Sequence, residues 1–174
     1  MLNFLNIKNQ KGFSLIEMMV VVVILGLIVL GLVTFFTGGA KSWVAGQSQL
    51  KAQREARQVI DRMVREIRHG ELITSGVSKS ITVSIPALGS VSAYNVTYSW
   101  SGPSIDSIIR TVNSTPSHVI DNVKDLLFTY AYPSGSTEIL DVSKVKILLE
   151  VDVDNDGNSD ITLNTDVNLR NYDL

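Results

Sequence analysis

Apolar and polar positions follow three different rhythms along this chain. From Phe13 to Phe36 there is almost no rhythm at all: 19 of 24 residues are apolar, and only Ser14, Glu17, Gly26, Gly31 and Thr34 interrupt them. At about 1.5 Å per residue such a helix spans roughly 36 Å, more than a hydrocarbon core of about 30 Å. From Ala52 the apolar residues recur at steps of three and four (Ala52, Ala56, Val59, Ile60, Met63, Val64, Ile67), the stripe of an amphipathic helix. Arg65, Arg68 and His69 fall in its last turn, where cations suit the helix dipole, and Gly70 suits the position after the last helical residue. The first proline is Pro86, so nothing of that kind breaks one helix from about Phe13 to His69, about 85 Å long. Gly26, Gly31 and the pair Gly38-Gly39 are its weak points.

From Glu71 the rhythm becomes period two, with turn residues every 8–12 positions. The alternation predicts strands over 80–85, 93–100, 105–112, 125–131, 145–153 and 159–169. Turn signals separate them at Gly89-Ser90, Gly102-Pro103, Thr115-Pro116, Pro133-Ser134-Gly135 and Asp156-Gly157. The stretch 118–124 reads as extended or as a helical turn. The expected fold class is therefore α+β, a long N-terminal helix packed on an antiparallel β-sheet head. Its expected parts are residues 1–12, an apolar helix over 13–36, its amphipathic continuation over 37–70, and a β-rich head over 71–174.

Composition sharpens this picture. The chain has 174 residues, 45% hydrophobic, with no cysteine. That excludes a disordered chain, a disulfide-stapled miniprotein and a thiolate-ligated zinc or iron–sulfur site. The net charge of −2 hides an asymmetry. Residues 41–71 carry seven cations against four acids, a net +3, whereas residues 121–174 carry four against eleven, a net −7. So acidic a C-terminal half is a poor match for nucleic acid, whose binding rests on phosphate neutralisation, and a better one for a cation. The basic helix positions read as a solvated face or as partners for acids on neighbouring subunits.

Lys8 and Lys11 precede the apolar run, with no acid in residues 1–12. By the positive-inside rule the N-terminus is cytoplasmic and the remainder exported. A secretory signal peptide fits the small residues Gly38-Gly39-Ala40, but 24 residues is long for its apolar region. A plain membrane anchor is the second reading. Glu17 argues against both, because a carboxylate inside an apolar span costs about 2.5–3.5 kcal/mol on the insertion scale and calls for a partner.

The run Lys11-Gly12-Phe13-Ser14-Leu15-Ile16-Glu17, followed directly by the long apolar helix, resembles the type IV prepilin family, which includes the type II secretion pseudopilins. The resemblance implies that residues 1–12 are a leader, that prepilin peptidase cuts between Gly12 and Phe13, and that Phe13 becomes the N-methylated first residue. Glu17 would then be the fifth residue of the mature chain and would meet the N-terminal amine, neutralising both charges in membrane or filament core. The mature chain would have 162 residues with 13 basic and 17 acidic side chains, a net −4. Within the family, the long helix, the β-rich head, the segment Val123–Tyr130 and the final Leu169-Arg170-Asn171 look most like PilW-type minor pilins and J-type pseudopilins. The implied partners are other pilins or pseudopilins through the helix, prepilin peptidase and the inner-membrane assembly platform. The implied location is the inner membrane, crossed once with the head exported, and then a pilus or pseudopilus. The implied function is a minor structural subunit that initiates, caps or modifies the filament; the alternative is a filament-borne binding module for DNA, a surface or an exported substrate.

One head segment carries possible chemistry. Asp152-Val153-Asp154-Asn155-Asp156-Gly157-Asn158-Ser159-Asp160 places oxygens at alternate positions, with a glycine for the sharp turn, a pattern that suits Ca²⁺. Asp152, Asp154, Asp156 and Asp160 would ligate by side chain or through water, and Asn158 by its backbone carbonyl. It resembles Asp-rich calcium loops but departs from the EF-hand, since Leu163 stands where the bidentate glutamate belongs and the flanks read as strands. The competing reading is a polar Asp-Gly turn between two strands. Ca²⁺ here would be structural, and no cofactor is required. Nothing points to an enzyme: His69 suits a helix end, no motif surrounds His118, and there is no phosphate-binding glycine loop or zinc-binding His-Glu-x-x-His. Trp43, Trp100, Tyr94, Tyr98, Tyr130 and Tyr132 read as core and strand-pair residues.

Overall fold

The computed structural model describes residues 12–103, 106–132 and 136–169. Most of the expected leader with Lys8 and Lys11, the start of the third expected strand at Ile105, the turn at Pro133-Ser134-Gly135, and Arg170 and Asn171 lie outside the described residues. The described chain falls into two compact units that meet between Val44 and Ala45. A single helix, α1 (Leu15–His69), belongs to both.

In the first unit every described residue is exposed. The large apolar side chains from Leu15 to Phe36 show between 46% and 78% of their surface. The two threonines of this stretch hide their hydroxyls within the helix. Thr34 Oγ1 donates to the carbonyls of Leu30 (3.1 Å) and Gly31 (2.9 Å), and Thr37 Oγ1 to those of Val33 (2.9 Å) and Thr34 (3.1 Å). A hydroxyl satisfied this way costs little in apolar surroundings.

In the second unit the expected stripe is the buried face: Ala56, Val59, Ile60, Met63 and Ile67 are core, with Ala52 and Val64 half-buried beside them. This half of α1 packs on a seven-stranded antiparallel sheet whose spatial order is its chain order. The strands are β1 (Leu72–Val77), β2 (Ser80–Ile85), β3 (Tyr94–Ser99), β4 (Asp106–Val112), β5 (Thr115–Ala131), β6 (Lys144–Val151) and β7 (Ile161–Asn168). Alternation drives the choice: along β6, Val145, Ile147, Leu149 and Val151 are buried, while Lys146 is exposed. The core joins this face to the helix stripe through Ile73, Ile81, Val83, Val96, Tyr98, Leu126 and Phe128.

Two elements differ from the sequence expectation. Strand β1 was not foreseen, because its register shifts between Ile73 and Ser75 and the alternation is lost there. Strand β5 starts at Thr115 and absorbs the ambiguous 118–124. The turn before it is Asn113-Ser114, not Thr115-Pro116: both turn residues have positive φ (47° and 68°), as a two-residue hairpin turn requires. The first half of β5 pairs with β4 and the second half with β6. Where β4 has ended, the β1–β2 turn fills the gap. The carbonyl of Ser78 accepts from the Phe128 N–H (2.7 Å) and Tyr130 Oη donates to the carbonyls of Val77 and Ser80 (3.1 Å each), while the Lys79 carbonyl prolongs the β2–β3 ladder by accepting from the Trp100 N–H (3.1 Å).

Gly70 ends the helix for a reason other than a left-handed backbone, since it is not among the positive-φ residues. A Cβ there would run into Val83 Cγ1, so the residue is glycine because the chain passes tight against β2.

Candidate functional site

At the N-terminal boundary the described chain is non-helical at Gly12, Phe13 and Ser14 and becomes helical at Leu15. Gly12 and Phe13 are exposed, Phe13 by 79%, so the bond between them lies on open backbone ahead of the helix. Glu17 turns back on this start: its Oε2 accepts the Ser14 backbone N–H at 3.0 Å. This is one half of a capping box, in which a glutamate three residues into a helix satisfies the N–H of the capping residue. The Ser14-x-x-Glu17 spacing is the signal in the sequence for it. The carboxylate therefore sits one residue from Phe13, at the positive end of the helix dipole.

In the head, the acidic loop joins β6 to β7. Asp152 is completely buried and accepts two loop amides, Asn155 N–H on Oδ1 (2.7 Å) and Gly157 N–H on Oδ2 (2.8 Å). The loop bends around it through Asn155 and Gly157, both with positive φ (63° and 87°). Asp160 Oδ2 accepts the Val153 N–H at 2.7 Å and closes the loop base. Asp154 and Asp156 are exposed. Asp156 accepts both the side-chain amide (3.0 Å) and the backbone N–H (2.7 Å) of Asn158, and these bonds hold its pKa below the ordinary carboxylate value. Carboxylate oxygens of Asp152, Asp154 and Asp156 come within 4.8 Å of one another, a spacing that could hold a metal ion. Asp160 stands outside that group, and Asn158 faces it with amide donors.

A third cluster went unnoticed in the sequence. Glu66, on the flank of the buried helix stripe, receives a two-pronged bond from Arg110 on β4: Nη2 to Oε1 at 2.7 Å and Nε to Oε2 at 3.1 Å. Tyr98 Oη on β3 donates to the same carboxylate at 2.6 Å. The two charged side chains are only 18% and 15% exposed. Burial, and then the bond to Glu66, raise the Tyr98 pKa well beyond the ordinary phenol range, and the same glutamate raises that of Arg110. The partners lie 32 and 44 residues from Glu66, so no local motif announces them. This cluster fastens helix to sheet and offers no open site.

Helix, sheet and N-terminal boundary together define an α+β protein of type IV pilin-like arrangement. Residues 7–33 match the family model described as the prokaryotic N-terminal methylation motif, which supports the resemblance to type IV prepilins and pseudopilins. No curated protein and no solved structure matches the chain.

Proposed function

We propose that this protein is a minor pilin or pseudopilin, a structural subunit without enzymatic activity. Prepilin peptidase cuts its leader between Gly12 and Phe13 and methylates Phe13. The apolar helix then holds it once across the inner membrane with the head exported, until assembly draws it into a pilus or pseudopilus beside other subunits. The observation that carries this reading is the methylation-motif segment, whose helix continues with every side chain exposed as far as Val44. So much apolar surface in water is unfavourable by about 25 cal/mol per Å², so the segment needs lipid or other helices around it. Glu17 supports the reading because its reach to the Ser14 N–H puts the carboxylate next to the amine that cleavage creates at Phe13. Mass spectrometry of the chain from a host with prepilin peptidase tests it: the expected terminus is N-methyl-Phe13. A terminus near Lys41 would mean signal peptidase, and an intact Met1 a plain anchor. Glu17→Ala is expected to be processed normally yet fail to enter filaments.

A second reading concerns the loop. The three grouped carboxylates of Asp152, Asp154 and Asp156 fit a hard divalent cation. Ca²⁺ there would stiffen the β6–β7 turn, with Asp160 and Asn158 shaping the loop around it. Calorimetry of residues 41–174 tests this reading: a melting temperature that rises with Ca²⁺ and falls with chelator supports it, and an unchanged one leaves a metal-free turn.

A further inference from the structure

Four arginines on the amphipathic half of α1 form no ion pair and no hydrogen bond among the described residues: Arg54, Arg57, Arg65 and Arg68. Their neighbours are engaged, Lys51 with Glu55 and Arg62 with Glu66. At about 100° per residue the four fall within an arc of roughly 80°, centred about 140° around the helix from the stripe of Ala56, Met63 and Ile67 that meets the sheet. All four are exposed, and they extend over about 21 Å of helix. Asp61 is the one acid in the row, so the row carries a net +3. The same unit bears the complementary charge elsewhere: Asp154 and Asp156 are exposed at the tip of the β6–β7 loop and form no salt bridge. Row and loop do not pair within one chain.

We propose that the arginine row is a docking surface for a second copy of this chain, which presents its β6–β7 loop to it. Because the two patches are different surfaces of the molecule, the contact is heterologous and not the self-complementary face of a symmetric pair. It supplies register and selectivity, with the strength of association left to the apolar helices. A Ca²⁺ in the loop weakens the complementarity without removing it, since the three exposed aspartates, Asp154, Asp156 and Asp160, against two positive charges leave −1. The proposal rests on the assembly reading above and names the partner face within it.

The chain has no cysteine, so introduced ones report cleanly. Full-length chain with Arg57→Cys is mixed in detergent micelles with differently tagged chain carrying Asp156→Cys. The expected result is a mixed disulfide forming at least tenfold faster than with Thr115→Cys, an exposed position on the β4–β5 hairpin. The rate falls to the control level in 0.5 M salt, where screening is shorter than about 10 Å. Arg54→Glu, Arg65→Glu and Arg68→Glu together abolish the advantage, and Asp154→Lys with Asp160 left intact restores it. Equal rates for both pairs, or indifference to charge reversal, overturn the proposal. So does a row that binds duplex DNA or anionic vesicles while cross-linking is unaffected by reversal. None of these readouts requires processing, so a negative result removes the docking surface while the mass of the N-terminus judges the assembly reading separately.

Discussion

Replacing Glu66 by alanine should cost the head about 3 kcal/mol. The carboxylate accepts three charge-assisted bonds, two from Arg110 and one from Tyr98 Oη. Without it, a guanidinium that is 15% exposed and a hydroxyl on a fully buried tyrosine lose their partner together. Breaking a buried ion pair from one side costs about 3–5 kcal/mol, and the residual access of water here favours the lower end. Arg62, 3.8 Å from the same carboxylate and 52% exposed, adds little. In a unit of this size such a loss lowers the melting temperature by roughly 10 °C. Thermal and urea melts of residues 41–174 by circular dichroism measure it, with three companions. Tyr98→Phe removes only the hydroxyl and costs about 1 kcal/mol. Arg110→Ala leaves the glutamate stranded and resembles Glu66→Ala. The double variant Glu66→Ala/Arg110→Ala falls short of the sum of its singles by about 2 kcal/mol, because neither charge is then left alone. A coupling under about 0.5 kcal/mol would refute the reasoning, since that is the range of a pair held in water.

Further outcomes follow from the same geometry. Asp106 is held below the ordinary carboxylate value of 3.8 by the Ser101 hydroxyl and then the Ser107 N–H, and Asp156 by the amide of Asn158. Depressed carboxylates stabilise above their unfolded pKa and stop doing so as the folded pKa is passed downward. Urea midpoints should thus hold at pH 5 and drop below pH 3.8, with a flatter acid limb for Asp106→Asn and Asp156→Asn. The raised phenols of Tyr98 and Tyr130 have the opposite sense: the stability they confer is complete below pH 10 and is lost above it. Absorbance at 295 nm should therefore follow the same curve with and without Tyr130→Phe up to pH 11 in the folded head. Asp152→Ala bares the N–H groups of Asn155 and Gly157 and should cost about 2 kcal/mol in metal-free urea melts, while Asp154→Ala costs less than about 0.5. Gly76→Ala pushes a methyl to 2.7 Å from Tyr130 Cζ and Ile139 Cδ1 and should cost about 1–3 kcal/mol in the same melts.

What could be read from the chain and what could not divide along sequence distance. The helix stripe was legible because burial repeats every three or four residues, and each expected residue from Ala56 to Ile67 reached the core or its edge. The acidic loop was legible because its aspartates are near neighbours, although their division of labour was not. Asp152 alone is buried, while Asp154, Asp156 and Asp160 stay exposed although each accepts a backbone N–H, and alternation alone does not choose between those fates. Strand β1 was lost where a register shift breaks its period, and Gly76, which reads as a strand breaker, is there to admit the Tyr130 ring. The Glu66 cluster needed a pairing of helix, β3 and β4 before its charges could meet. One hint was present: a glutamate on the flank of an apolar stripe, three residues from Met63 and one from Ile67, must find a cation or stay wet. The joint between the two halves of the sheet offered no hint at all. It is made by the carbonyls of Val77, Ser78 and Ser80, and a carbonyl is the same in every residue. Among its side chains, Tyr130 must keep its hydroxyl, Gly76 its empty space, and Lys79 its ammonium over the Trp100 ring at 4.6 Å. The β1–β2 turn is thus held largely by main-chain groups that its sequence does not announce.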